Sequence, residues 1–429
     1  MEPLRSDLWV VFMRNELIVA IVMFLISIGG SIATKNDKKW SVLFLFLAAV
    51  AGSLAAGMGI RFREIVEGPF GFLDSMLCVC AASILVAVLD RAGAFVLFYS
   101  KISKIRCSVL RAFMVLFFIA LPAMLTGFAS ASLLTTGKLV KDLLEKQGEK
   151  KASVIVGVGA FLGVILPPNC IPAMIAANGA GSVLPTPYSG FFLPLLVVGL
   201  PAFIVYGIME RKALSSIEGA ELQDKKTLPA FIILLVVLVA VLIEGVLSSV
   251  LWLGGNTLVF FVAAILVLAF SKFFSSAKET LNTVSEGLMR AVVPMAIVFA
   301  LGSFIEVSSM TGVRGVFSYW ILPYSTTGVM LVLMAASLLI GYFLSIPIPA
   351  FLITYAVFPI GWLANTVIVS GCSVVLAVIG LITRRGGIME NDGLERKEVL
   401  KNVCVPAILV LVMGVLLVLF GDKLTFLIR

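Results

Sequence analysis

The sequence predicts an all-α polytopic membrane protein, built as two inverted-topology repeats that each carry a re-entrant helical hairpin and a broken helix. Three observations predict it: the composition, the placement of lysine and arginine, and a recurring sequence offset. Of the 429 residues, 61% are hydrophobic and 13% charged, with a mean hydropathy of +1.14. A soluble domain is nearer about 45–50% apolar and about 25% charged. Apolar runs recur at 17–33, 41–60, 229–250 and 403–421, each long enough to cross roughly 30 Å of hydrocarbon. Nothing between these runs is large enough to be a soluble domain.

The amino-terminal segment is mixed in charge (Glu2, Arg5, Asp7, Arg14, Glu16) and lacks a small-residue cleavage site after the first apolar run. That run is expected to stay as a transmembrane helix rather than leave as a signal peptide. The six cysteines lie in or beside apolar segments, and Cys78-Val79-Cys80 has no histidine to complete a metal site. They read as packing residues, with no disulfide and no metal. The net charge of +8 does not point to nucleic acid, because the positive residues sit in short loops between spans.

Those loops set the topology. Segments 34–39, 100–111, 138–151, 210–226, 272–290 and 384–401 hold 24 of the 32 lysines and arginines, against 7 on the other side. Arg91 falls within an apolar stretch. The bias places the six segments in the cytoplasm and both termini outside. Loops 100–111 and 138–151 then share a side, so the apolar stretch between them enters and leaves by the same face, as a hairpin over about 112–140. Its turn is expected at Thr126-Gly127-Phe128-Ala129-Ser130-Ala131-Ser132. In the second half, 328–360, broken at Ser345-Ile346-Pro347-Ile348-Pro349, returns to the opposite face.

The two hairpins therefore face opposite ways, and a repeat is written in the sequence. Glu67-Gly68 and Glu286-Gly287 are 219 positions apart, as are Gly93 and Gly312. The same offset from Gly127 lands at 346, inside the second break. Gly163-Val164-Ile165-Leu166-Pro167-Pro168 mirrors Gly380-Leu381-Ile382-Thr383-Arg384-Arg385 at an offset of 217. Repeat one is expected over 11–209, with a broken helix about 152–184. A cytoplasmic linker occupies 210–227. Repeat two covers 228–424, with a broken helix about 362–401.

Interrupted apolar segments are where a transporter keeps its site, because broken backbone survives at bilayer depth only in protein or a wet cavity. Thr126, Gly127, Ser130 and Ser132 offer hydroxyls and freed carbonyls to a hard cation such as Na⁺. The competing reading is that small residues merely let helices approach. Pro167-Pro168-Asn169 unwinds a span and presents an amide to ion or solute, where a plain proline kink is the bland alternative. Asp74, Asp90, Arg91, Glu244 and Glu306 are intramembrane ionisable candidates, each with an equally good structural reading. Arg384-Arg385 reads as a helix-end anchor on the positive side, with anion binding within the core as the alternative. The absence of histidine excludes a histidine proton relay and most hydrolase chemistries. No nucleotide-binding loop is present, and no catalytic set is visible, so the chain reads as a non-enzyme.

At these motifs the chain resembles the large membrane subunit of tripartite ATP-independent periplasmic (TRAP) transporters, within the wider ion transporter superfamily. The matching stretches are REIVEGPFGFLDSMLCVCAASILVAVLDRAG (63–93), LTGFASASLLTTG (125–137), GAFLGVILPPN (159–169) and GYFLSIPIPAFLITYAVFPI (341–360). The resemblance implies an elevator-type carrier with a scaffold and a transport domain, which couples Na⁺ to uptake of a carboxylate-bearing, C4-dicarboxylate-like solute. It implies a bacterial cytoplasmic membrane, a periplasmic substrate-binding protein and a small four-helix membrane subunit, with no cofactor beyond the coupling ion. By position, Thr126, Gly127, Ser130, Ser132, Pro167 and Asn169 resemble one ion-binding half, and Gly341, Ser345, Pro347, Gly380 and Thr383 the other. Solute contacts are expected at Ser130, Pro167, Asn169 and Ser345. The sequence departs from the family pattern in three places. Ser345 replaces the aspartate of the second hairpin, Arg384-Arg385 replaces a Pro-Pro pair, and Asn169 replaces a serine. The expected function is Na⁺-coupled uptake of a small organic anion. A stand-alone symporter or antiporter without a binding protein, or a non-transporting membrane scaffold, are the alternatives.

Overall fold

The computed structural model describes residues 3–34, 38–144, 148–171, 173–174, 189–216, 227–247, 255–270, 276–316, 328 and 396–420. Every regular element among them is a helix. Among the described residues, four helices are long and apolar enough to cross a bilayer: Leu73–Arg91, Ser108–Thr126, Phe191–Met209 and Ala277–Met310. The second hairpin (328–360) and second broken helix (362–401) expected from the sequence lie, but for isolated helical residues at their edges, outside the described residues.

In chain order, α1 (Pro3–Ala33) and α2 (Lys38–Ala55) form an antiparallel pair. A short amphipathic helix, α3 (Phe62–Phe70), stops after Pro69, and Gly71-Phe72 turn the chain into α4 (Leu73–Arg91). Gly93 then takes φ +74° and starts α5 (Ala94–Ser103). The next group is α6 (Ser108–Thr126), α7 (Ala129–Leu134), α8 (Thr136–Leu144) and α9 (Glu149–Ile165). It is followed by α10 (Ser189–Met209) and the short α11 (Arg211–Ser215). The remaining helices are α12 (Leu228–Leu247), α13 (Gly255–Phe270), α14 (Ala277–Met310) and α15 (Arg396–Phe420).

Contacts sort these helices into two groups. The first contains α1, α2, α3, α4, α12, α13 and α14, and its centre is α14, which packs on α2, α3 and α4. This helix of 34 residues is about 50 Å long at 1.5 Å per residue, well beyond a hydrocarbon core. Its start is fixed by an N-cap, in which Ser276 Oγ accepts the backbone N–H of Glu279 at 3.2 Å. The second group contains α6 to α11 with α15. Here α9 packs along α6, and α10 packs on α15. The groups meet directly where α4 packs on α6, and helix α5 joins them through aromatic rings. Phe98 lies 5.7 Å from Phe118 of α6 and 5.8 Å from Phe231 of α12, centroid to centroid.

Inside the first group two glycine contacts answer each other. A Cβ on Gly68 of α3 would lie 2.5 Å from the carbonyl oxygen of Gly302 in α14. A Cβ on Gly302 would lie 2.6 Å from Cα of Pro69. Further along α14, a Cβ on Gly287 would lie 2.7 Å from Cα of Ile84 and 3.0 Å from the carbonyl oxygen of Ser83. Gly287 follows Gly68 by 219 positions, and Gly302 follows Ser83 by the same number. Exchanging the halves by that offset turns one contact into the other. Gly93 and Gly312 match as well, at φ +74° and +75°. Their N–H groups donate to Asp90 and Ser309, which are again 219 apart, at 3.0 and 3.3 Å.

Candidate functional site

The end of α6 shows how the chain builds a tight reversal. Gly127 takes the left-handed conformation (φ +78°), which a residue with a Cβ adopts only at a cost. Its N–H closes on the carbonyl of Ala123 at 2.8 Å. Phe128 is extended and α7 begins at Ala129, returning along α6. A kink at Thr135 separates α7 from α8. Two side-chain bonds stitch the arms together. Ser132 Oγ accepts the N–H of Ala123 at 2.8 Å, and Thr136 Oγ1 donates to the carbonyl of Ile119 at 3.3 Å.

The second component is the interruption of α9. Helical geometry ends at Ile165, Leu166 is extended, and helix resumes at Ile171. Up to that break α9 lies close on α6 because Gly159 and Gly163 carry no side chain. A Cβ on Gly163 would collide with the backbone of Ala120, which is the small-xxx-small packing of membrane helices. The close approach brings the break against the hairpin tip. A Cβ on Gly127 would lie 2.6 Å from the carbonyl oxygen of Asn169, so glycine is required there for space as well as for φ.

A helix end leaves its last carbonyls without partners, and here those from Pro122 to Leu125 each have one. Ala123 receives Gly127. Pro122 receives the hydroxyl of Thr126 at 2.7 Å. Met124 receives the N–H of Asn169 at 3.2 Å, and Leu125 receives the Asn169 side-chain amide. The Asn169 oxygen faces the other way. It accepts from Nδ2 of Asn256 on α13 at 3.1 Å and from the thiol of Cys78 on α4 at 3.7 Å. Asn256 Nδ2 also lies 3.5 Å from the carbonyl of Pro168, and Thr257 donates to Asp74 at 3.1 Å.

The structure therefore brings Thr126, Gly127, Ser132, Pro167 and Asn169 to one place. Thr126 and Ser132 are fully buried and Asn169 is 1% exposed. Ser130 on α7 is half-buried, and its hydroxyl makes no hydrogen bond among the described residues. Thr126 donates its proton to Pro122, which leaves its oxygen lone pairs free to coordinate. Ser132 accepts from Ala123, so its oxygen is already engaged. Gly341, Ser345, Pro347, Gly380 and Thr383 lie outside the described residues.

Sequence reasoning missed Asn256, and set Cys78 aside as packing. An amide at the first turn of an apolar helix reads as a cap, and nothing local ties it to a proline break 87 positions earlier. Among the ionisable candidates, Arg91 pairs with Glu279 at 3.3 Å. Glu306 stands half-buried on α14 with its Cβ against Gly68.

Long apolar helices, a helix reversed on a glycine and an interrupted helix seated beneath it define a multi-pass membrane transport protein. The chain belongs to the family described as tripartite ATP-independent periplasmic transporter, DctM component, whose model matches residues 106–383, a stretch that takes in the hairpin and the break. It is a transporter of the TRAP type, a class that works with further components. Its fold is similar to that of the Alcanivorax borkumensis YdaH transporter, whose crystal structure is described as revealing an unusual topology. The two share 11% identity and a TM-score of 0.60, over 90% of this chain and 98% of that one. No curated protein matches the sequence.

Proposed function

We propose that this protein carries a small organic anion, carboxylate-bearing and C4-dicarboxylate-like, inward across the bacterial cytoplasmic membrane, coupled to Na⁺. The observation that carries the reading is the hairpin tip on the helix break. The carbonyls from Pro122 to Leu125 have donors, while among the described residues the Ser130 hydroxyl and the lone pairs of Thr126 have no partner. Oxygen ligands of that kind suit a hard monovalent cation. Hydrogen bonds from Thr126 and Ser132 hold the backbone around them in place. Half-helix ends at a midplane site serve ions and anionic groups in this way in secondary transporters.

The paired glycine contacts at the 219 offset support two inverted repeats, and the bias of lysine and arginine between the loops supports both termini outside. The sorting of helices into two groups supports an elevator mechanism. In it, α1 to α4 with α12 to α14 stay fixed while the hairpin group moves. A periplasmic binding protein and a small four-helix membrane subunit would complete the assembly. Ser345 and Thr383 are the corresponding candidates in repeat two.

Purified protein in proteoliposomes, screened against organic acids in sodium and in potassium buffer, tests the reading. A carboxylate that raises thermal stability only in sodium is the expected result. Ser130→Ala should weaken that sodium dependence while leaving expression intact. Sodium dependence unchanged in Ser130→Ala would remove Ser130 from the ion site. Absence of any sodium-specific effect across the acids, with the wild-type chain folded, would end the coupling proposal.

A further inference from the structure

Asn169 has two ends with different obligations, and the difference has a mechanical meaning. Its backbone N–H and side-chain nitrogen both go to carbonyls of the hairpin, at Met124 and Leu125. Its side-chain oxygen goes to the other helix group, where Asn256 and Cys78 donate to it. The orientation of this amide is set by its surroundings, since only nitrogen can face a carbonyl and only oxygen can accept from a donor. The stronger of the two donors is Asn256, because a thiol is a weak one. Asn256 also reaches the carbonyl of Pro168. Helix α13 itself packs on α4 and α12. Its first-turn amide is thus the part of α13 that grips the break.

We infer that Asn256 is a positioning residue: acting through Asn169 and Pro168, it latches the hairpin tip and the helix break to α13 and α4. The inference rests on the carrier reading for its purpose, since in an elevator these are bonds between a fixed and a moving body. They must open for the hairpin group to travel. A latch made of neutral amide bonds suits that task, because each bond is exchanged for one to water at modest net cost.

Three buried thiols supply the readout. Cys78 and Cys170 are each 1% exposed and adjoin Asn169, whereas Cys80 is 8% exposed and makes no bond to it. The full chain, with exposed Cys107 and Cys404 replaced by serine, is reconstituted in lipid nanodiscs. It is treated with N-ethylmaleimide, and modification is resolved site by site by mass spectrometry. Asn256→Ala should raise the rates at Cys78 and Cys170 about five- to tenfold, the range expected when a buried hydrogen bond is lost, and leave Cys80 unchanged. Asn256→Asp, nearly isosteric but without the donor, should do the same and covers the case in which the alanine variant fails to fold. In an Asn169→Ala background the Asn256 substitution should add less than it does alone, because only its contact with the Pro168 carbonyl is left to lose. Unchanged rates would overturn the latch. So would a rise shared by Cys80, which reports general loosening, or effects that multiply across the two positions. The labelling needs no solute, so the latch can stand where sodium coupling fails, and the reverse.

Discussion

The helix crossing at Gly68–Gly302 and the hairpin tip at Gly127–Asn169 both depend on glycine, and they hold together in opposite ways. At the crossing, backbone meets backbone. Beside the half-buried Glu306, a side-chain bond runs from Ser303 Oγ to the carbonyl of Ile65 at 2.7 Å. At the tip, glycine turns the chain and makes room, and the cohesion comes from hydrogen bonds of Thr126, Ser132, Asn169 and Asn256 to backbone and to one another. Dispersion contacts of the first kind are short-ranged and vanish with small displacements. Hydrogen bonds of the second kind can be exchanged for others. On the carrier mechanism proposed above, the first kind suits an interface that does not slip and the second suits one that is remade.

The largest test of this contrast is at the crossing. Gly302→Leu would drive a side chain into the backbone of Gly68 and Pro69, where no rotamer can relieve the contact. It should cost about 3 kcal/mol or more, enough to lose most folded protein. Gly302→Ala should cost about 1–3 kcal/mol. The matching substitution Gly287→Ala, which meets Ile84 and Ser83 at similar distances, should cost a similar amount. Thermal unfolding in detergent reads both. A large disagreement between Gly287→Ala and Gly302→Ala would break the equivalence of the two contacts.

Next comes the tip. Gly127→Ala must hold a left-handed φ, at about 1–2 kcal/mol, and also push the Asn169 carbonyl and Ile171 away. A total near 3 kcal/mol is expected. Unlike the crossing variants, it should loosen α9 beyond the break more than it affects α14. Hydrogen exchange resolved along the chain distinguishes the two.

How far the sequence reaches differs between these regions for a physical reason. Helical class, the turn at Gly127 and the interruption at Pro167-Pro168 are local events, and single residues announce them. Gly68 and Gly287 were visible as a pair at one offset, because backbone contacts between helices demand glycine and leave a mark. The latch left none. Asn256 belongs to another helix, its neighbours are apolar, and an amide has many possible uses. The division of labour among the serines was equally hidden, since Thr126, Ser130 and Ser132 look alike in a line of text.

That last division yields the finest prediction. Ser132 Oγ accepts the N–H of Ala123 inside a fully buried contact, so Ser132→Ala strands a donor with no water to replace the oxygen. Such a loss costs about 1–3 kcal/mol, and the variant should melt measurably lower whether or not sodium is present. Ser130 sits two residues away with its hydroxyl uncommitted. Ser130→Ala should change unfolding free energy by about 0.5 kcal/mol or less, while any change in sodium dependence should be concentrated there. If both variants lose stability equally, Ser130 is part of the stitching and the open coordination site disappears. If Ser130→Ala alone shifts sodium dependence at constant stability, the two hydroxyls have been separated by role, one fastening the hairpin and one facing the ion.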